Sequence, residues 1–236
     1  MMNINCDLGE GLPHDAALMP FLHSCNIACG GHAGDEKSIQ DTILLAAQHG
    51  VKIGAHPSYP DRLNFGRKVI DIPLEELKTS LLGQIASVAT CAEACQVPMH
   101  HIKAHGALYN ESAKNPELAN LLIGLVQEHY PGIILYIPPH SLIASLAHKV
   151  GIPIMLEVFG DRHYESDYSL VARTHPKALI TDAQEAKDHI ERLMQGKLKT
   201  IHGEILTLKG DTLCIHGDNP AALSILQLIQ TYASNH

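Results

Sequence analysis

Carboxylates, imidazoles and a lysine recur at the ends of apolar runs along this sequence. Their types and spacing suit acid–base, metal-binding or anion-binding chemistry. The first run, Asn3–Asp7, leads into Asp7-Leu8-Gly9-Glu10-Gly11. Two carboxylates three apart in a glycine-freed turn can hold a cation or move protons; the plainer alternative is a turn whose acids face water. The second run continues into Asn26-Ile27-Ala28-Cys29-Gly30-Gly31-His32-Ala33-Gly34-Asp35. Glycines such as Gly30 let backbone approach a ligand and leave helix N–H groups pointing outward. Asp35 also suits a helix N-cap, whatever else it does. His56 follows a third apolar run, where it is either a site residue or a satisfied core histidine. In His101-Ile102-Lys103-Ala104-His105, strand alternation puts His101, Lys103 and His105 on one face. A lysine in an apolar strand is costly to bury unpaired, so Lys103 carries the strongest functional signal. Its natural partner is an anion or carboxylate, and the structural alternative is an ion pair with an acid on a neighbouring strand.

Later segments add Glu157, then Asp161-Arg162-His163-Tyr164 and Arg173 in one long loop, and finally His216-Gly217-Asp218. Guanidinium groups clamp carboxylates and phosphates, which singles out Arg162 and Arg173. The loop from Phe159 to Thr181 has few apolar anchors and reads as a lid or a solvated loop. Asp218 either faces the same site or only caps the last helix.

These residues need elements to position them. Apolar periodicity predicts strands at 3–7, 24–28, 51–55, 99–103, 133–137, 154–158 and 213–216. It predicts helices at 35–49, 74–95, 116–129, 141–150, 182–195 and 220–232. A hairpin pairing Glu204–Leu208 with Thr212–His216 is also expected. Helix-to-strand joins such as His49-Gly50-Val51 are short, whereas strand-to-helix joins such as His56–Pro73 are long. Long loops therefore gather at the C-terminal strand ends, where α/β proteins place their sites. The expected architecture is an α/β, incomplete (β/α)7 TIM-like barrel, formed as one domain over 1–236.

Composition narrows the function. Lys and Arg number 17 against 25 Asp and Glu, a net charge of -8, and Trp is absent. That balance argues against nucleic-acid and anionic-membrane partners. No run is long enough for a membrane span, and the N-terminus lacks a basic start and apolar core, so neither anchor nor signal peptide is expected. The six cysteines read as reduced thiols of a cytoplasmic protein, with Cys91 and Cys95 packing on one helix face. The P-loop, dinucleotide fingerprint, serine elbow and paired-cysteine zinc ribbon are all missing. A metal centre on Asp7, His32 and His56 remains open.

Taken together, Asn5–Gly11, Asn26–Asp35, Gly54–Pro57, Asn64–Arg67, Lys103–Tyr109, Asp161–Tyr164 and Cys214–Asp218 resemble the LamB/YcsF family, which comprises the A subunits of bacterial 5-oxoprolinase. Gly31, Ala104 and Gly160 depart from the family's usual Phe, Pro and Ala beside the site. The resemblance implies a glycoside hydrolase/deacetylase-like barrel, ATP-dependent opening of 5-oxo-L-proline to L-glutamate, and separate B and C subunits. The chemistry then suggests roles. Phosphorylating the lactam oxygen makes the carbon electrophilic, which calls for cations around phosphate and for Mg²⁺. Lys103 with Arg162 or Arg173 would hold phosphate or the substrate carboxylate. Asp7 and Glu10 would hold Mg²⁺, and His32, His56, His105 or His216 would handle protons. Asn26, Gly30, Asp35, Glu157, Tyr164 and Asp218 complete the expected substrate or nucleotide contacts. Two alternatives stand beside this reading: a metal-dependent deacetylase or amidohydrolase acting alone, and a non-catalytic substrate-binding subunit.

Overall fold

The computed structural model describes residues 2–234 and side chains 2–231; Met1, Asn235 and His236, at the ends of the expected 1–236 barrel, lie outside the described residues. Among the described residues, nine strands follow in chain order. They are β1 (Asn3–Leu8), β2 (Ser24–Ala28), β3 (Lys52–His56), β4 (Met99–Lys103), β5 (Ile134–Ile137), β6 (Ile154–Phe159), β7 (Lys197–Lys199), β8 (Ile205–Thr207) and β9 (Thr212–Cys214). Strands β1 to β6 pair in sequence, all parallel, and β9 bonds to both β6 and β1, closing a seven-membered barrel. The ring thus has one strand fewer than a (β/α)8 barrel and still leaves no open edge.

The expected hairpin is a correction. Strand β8 pairs antiparallel with β7, not with β9. Asp211 explains the difference: its N–H donates to the Leu156 carbonyl at 2.7 Å and its carboxylate accepts from Leu156 N–H at 2.8 Å. This clamp steers the following strand into the gap between β6 and β1. A hairpin there would have left two buried strand edges unpaired.

Helices surround the ring: α1 (Asp15–Leu18), α2 (Glu36–His49), α3 (Leu74–Ala94), α4 (Gly106–Ser112), α5 (Pro116–His129), α6 (Leu142–Lys149), α7 (Ala183–Met194) and α8 (Ala222–Ser234). Their ends follow local chemistry. Asp35 and Ser38 form a reciprocal capping box at the start of α2, and Gly50 ends it with φ of 67°. Ile39, Thr42, Ile43 and Ala46 form the buried face, and Ala47 beside them is exposed. Asn115 accepts from Glu117 and Leu118 N–H groups ahead of Pro116, the first residue of α5. Cys91 and Cys95 pack, partly buried, against the core as free thiols. Among the described residues no helix is long and apolar enough to cross a membrane.

The inside of the barrel is polar. Asn5 donates to Thr212 Oγ1, Asn26 donates to Asn5 Oδ1 and Asp7 Oδ1, each at 2.8 Å, and His101 Nε2 donates to Asn26 Oδ1 at 2.7 Å. The His101 ring stacks on Tyr136 with centroids 4.0 Å apart. Gly54 sits opposite His101 in the β3–β4 register and makes room for that ring.

Helix α7 contributes a buried imidazole. His189 donates Nε2–H to the Phe159 carbonyl at 3.1 Å. Burial, then the nearby His163 and Arg192, push its pKa down from 6.5 to about 4, against the opposing pull of the Phe159 carbonyl and Asp161. The folded chain therefore holds His189 neutral where the unfolded chain takes a proton. Stability should fall as pH drops through the window from 6.5 to 4, by about 3 kcal/mol from this residue. Denaturant titrations of His189→Gln should show a flatter pH dependence across that window; an unchanged slope would count against the assignment.

Candidate functional site

The long strand-to-helix loops build one cavity of about 680 Å³ over the C-terminal ends of the strands. Its floor carries Asp7, Glu10, His56, Lys103, His105 and His216, and its rim carries Arg67, Lys68, Arg162, Arg173 and Asp218. Strands β1, β3 and β4 deliver floor side chains, since Asp7, His56 and Lys103 each lie at the C-terminal end of their strand.

Lys103 is buried at 2 % exposure, with Nζ 2.8 Å from Asp7 Oδ1, 3.0 Å from Glu157 Oε1 and 3.2 Å from Cys214 Sγ. Its counterions come from across the ring, on β1 and β6, not from an adjacent strand. Burial alone would lower the Lys103 pKa, but Asp7, Cys214 and Glu157 outweigh it and hold it well above the usual lysine range. Burial would likewise raise Asp7, yet His56 and Lys103 hold it well below the usual carboxylate range. The amine is a fixed ammonium already matched by two carboxylates. It realises the ion-pair alternative, with acids from non-adjacent strands, while Lys103 still lines the cavity.

Four side chains converge beside it. His56 donates Nδ1–H to the Lys103 carbonyl at 2.8 Å, and His105 donates Nε2–H to the Phe65 carbonyl at 3.0 Å. His56 Nε2 lies 2.9 Å from His105 Nδ1 and 3.4 Å from Asp7 Oδ2. His32 stacks on His105 at 3.6 Å and bonds Glu10 Oε1 through Nε2 at 3.1 Å. Burial pushes both His32 and His105 down, keeping them neutral. Gly66, with φ of 62°, packs its backbone against His32 and His105, which a side chain there would displace. Opposite, Asp161 holds His216: its carboxylate accepts from Nδ1 at 2.9 Å and from the His216 N–H at 3.0 Å. Burial works to raise Asp161, and the contact with His216 wins and lowers it.

The rim is cationic. Arg67 and Arg173 both pair with Asp218, at 2.5 and 2.8 Å, so two guanidiniums share one carboxylate. Arg162 also lines the cavity, but its Nε and Nη2 donate to the carbonyls of Ala178 and Val171. Burial, then Arg173, push its pKa down to about 10, leaving it charged at neutral pH. Arg162 thereby stitches the 159–181 loop, which also forms bridges at Arg162–Leu179 and Tyr164–Leu170. The loop is a packed wall of the cavity.

Five expected contacts lie elsewhere. Asp35 is an exposed N-cap. Gly30 closes a turn through its N–H to the Ala33 carbonyl, outside the cavity lining. Tyr164 is buried, and its hydroxyl accepts from Phe159 N–H at 2.8 Å, pinning the end of β6. Asn26 and Glu157 lie beneath the floor and hold Asp7 and Lys103 in place. The expected Mg²⁺ pair also separates: Asp7 faces Lys103 and His56, whereas Glu10 faces His32 and His105. Imidazoles around Glu10 do not match the all-oxygen shell that Mg²⁺ takes. Sequence reasoning gave no role to Arg67, Lys68, Asn64, Tyr109 or Phe159, which line the cavity, nor to Asp161 behind His216. Arg67 stood in the Asn64–Arg67 segment, and Asp161 beside Arg162; each had a visible residue type but no visible partner. The departures are local. A β-carbon at Gly31 would lie 2.4 Å from Gln84 Oε1 and Ser58 Oγ, so a larger residue there requires a different Gln84.

Comparison with known proteins agrees with this architecture. The chain is 40% identical over 203 residues to the A subunit of 5-oxoprolinase from Histophilus somni (strain 129Pt), covering 86% of this chain and 82% of that protein. It superposes on the crystal structure of a lactam utilization protein from Thermus thermophilus with a TM-score of 0.90 at 33% identity, covering 98% and 97% of the two chains. The model of the LamB/YcsF family matches residues 2–236. A seven-strand barrel with this polar mouth, and a family match along almost its entire length, show that the chain belongs to the LamB/YcsF family.

Proposed function

We propose that this chain is the A subunit of a cytoplasmic 5-oxoprolinase, opening 5-oxo-L-proline to L-glutamate together with separate B and C subunits. The observation that carries this reading is the division of the cavity into a cationic rim and an acid–imidazole floor. A small cyclic amide with one carboxylate fits that division. Its carboxylate would meet Arg67 and Arg173, whose combined charge exceeds that of Asp218 by one. Its ring amide would then face His56, His105 and His216. The similarity to a 5-oxoprolinase chain supports the same substrate class.

ATP enters as co-substrate, and Mg²⁺ arrives on its phosphates, which asks for no dedicated cage of carboxylates. The γ-phosphoryl group passes to the lactam oxygen with release of ADP. Water adds to the activated carbon, the ring C–N bond breaks as the nitrogen takes a proton, and a second water hydrolyses the resulting acyl phosphate to the carboxylate and free phosphate. The imidazole of His216, aligned by Asp161, is placed to move the protons, and His56 faces the same cavity.

The test is reconstitution with the B and C subunits, following ATP and 5-oxoproline consumption together. His56→Ala should abolish coupled turnover, and Lys103→Ala likewise; near-wild-type glutamate formation in both would overturn the site. Arg67→Ala and Arg173→Ala should each raise KM for 5-oxoproline by about 10–100-fold, as loss of a charge-assisted hydrogen bond worth about 1.5–3 kcal/mol. A fall in kcat with KM unchanged would assign these arginines to phosphate instead.

A further inference from the structure

We propose that His56 Nε2, His105 Nδ1 and Glu10 form a site for one divalent transition-metal ion of borderline softness, such as Zn²⁺. The positions of the imidazole protons lead to this site, independently of the oxoprolinase reading. The Lys103 carbonyl can only accept, so the proton of His56 sits on Nδ1 and its Nε2 presents a lone pair. The Phe65 carbonyl likewise places the proton of His105 on Nε2 and leaves a lone pair on Nδ1. These two lone pairs face each other at 2.9 Å. Two carboxylate oxygens join them: Asp7 Oδ2 is 3.4 Å from His56 Nε2, and Glu10 Oε1 is 3.8 Å from His105 Nδ1. His56 Nε2, His105 Nδ1 and Glu10 Oε1 therefore form one electron-rich cluster, with Asp7 Oδ2 beside His56, on a spot that calls for a positive charge.

A metal ion answers that requirement with outer contacts already in place. Ligating imidazoles usually donate their second N–H to a carbonyl or carboxylate, as both rings do here. Residues Glu10, His32, His56 and His105 offer ligand atoms that all lie within 4.8 Å of one another. Ring geometry excludes His32 from the ligand set. Its plane is within 6° of parallel to that of His105 at 3.6 Å, so an ion in the plane of His105 lies far out of the plane of His32. His32 is instead a positioning residue: its Nε2 holds Glu10 Oε1. Two imidazoles and one carboxylate suit Zn²⁺ and leave a coordination position towards the cavity that all three line. A tetrahedral angle with bonds of about 2.0–2.1 Å separates two nitrogens by about 3.3 Å, so the pair opens by a few tenths of an ångström on binding.

The rival occupant of the same spot is a single proton shared by His56 and His105. Titrating the chelator-treated full chain with Zn²⁺ and with Co²⁺ decides between them. Calorimetry should give one equivalent, and Co²⁺ should develop visible absorption bands. His105→Gln and Glu10→Gln should weaken binding at least 100-fold, and His32→Gln by about 10–100-fold. His189→Gln, in a buried imidazole outside the cluster, should leave it unchanged. Nitrogen NMR of the unaltered chain gives a readout that does not depend on how the variants fold: Zn²⁺ should shift His56 Nε2 and His105 Nδ1. A folded chain that binds neither ion and shows one proton shared between the rings overturns the proposal, as does binding indifferent to His105→Gln and Glu10→Gln.

Discussion

Lys103→Met should lower the unfolding free energy by about 3–5 kcal/mol at neutral pH and abolish turnover. The side chains are close in volume, so the loss is electrostatic. Lys103 lies between Asp7 and Glu157 with almost no water. Removing the ammonium leaves two buried carboxylates without their counterion, and at least one must take a proton. The sign with pH follows from the raised pKa of Lys103: its contribution is complete below the unfolded lysine value and is lost only as pH rises through the folded one. Denaturant midpoints across the neutral range should therefore show the full deficit. The double variant Lys103→Met, Glu157→Gln separates structure from function. It removes one of the two stranded charges, so stability should recover in part while turnover stays lost. Full recovery of both would show that Lys103 is only a counterion.

The second large effect is expected at a residue with no side chain. Gly54→Ala should cost about 4 kcal/mol. A β-carbon at Gly54 would lie 2.4 Å from the ring of His101. That ring is held on one face by Tyr136 and at its Nε2 by Asn26, so it has nowhere to turn. Overpacking accounts for about 1–3 kcal/mol, and a displaced His101 strands the buried Asn26 carbonyl for about 1–3 kcal/mol more. The damage should also reach the site, because Asn26 donates to Asp7. In a double-mutant cycle with His101→Ala, the two losses should be strongly non-additive. Simple addition, or a Gly54→Ala chain as stable as the parent, would show that the His101 ring is free to move.

Much of this could be read before any fold was known, and the reasons differ by residue. Pro116 and Asn115 mark the start of α5 because capping is a contact between neighbours in the chain. Asp35 and Gly50 bound α2 in the same way, although the same local logic makes Asp35 a cap rather than a ligand contact. Asp7, His56, Lys103 and His216 stood out because polar groups at the ends of apolar strands must meet either a partner or a ligand. Which of the two they meet was not visible. Lys103 finds Asp7 96 residues away, and Arg67 finds Asp218 at a separation of 151. Tyr164 and Glu157 looked like contacts to a ligand and instead brace the strands beneath it.

The strand that closes the ring shows the same division. Composition and turn residues made a hairpin of 204–208 with 212–216 locally reasonable, and nothing nearby opposed it. Only the unpaired edges of β1 and β6, brought together by the curvature of the whole sheet, draw β9 away from β8. The amino-acid order by itself therefore determined the alternating elements, the mouth to which the long loops belong and the residue types delivered there, because periodicity, capping and burial cost act over a few residues. Tertiary structure alone decided which charges cancel, which imidazole nitrogens face one another and which strand shuts the barrel, because those outcomes depend on distances between groups far apart in the chain.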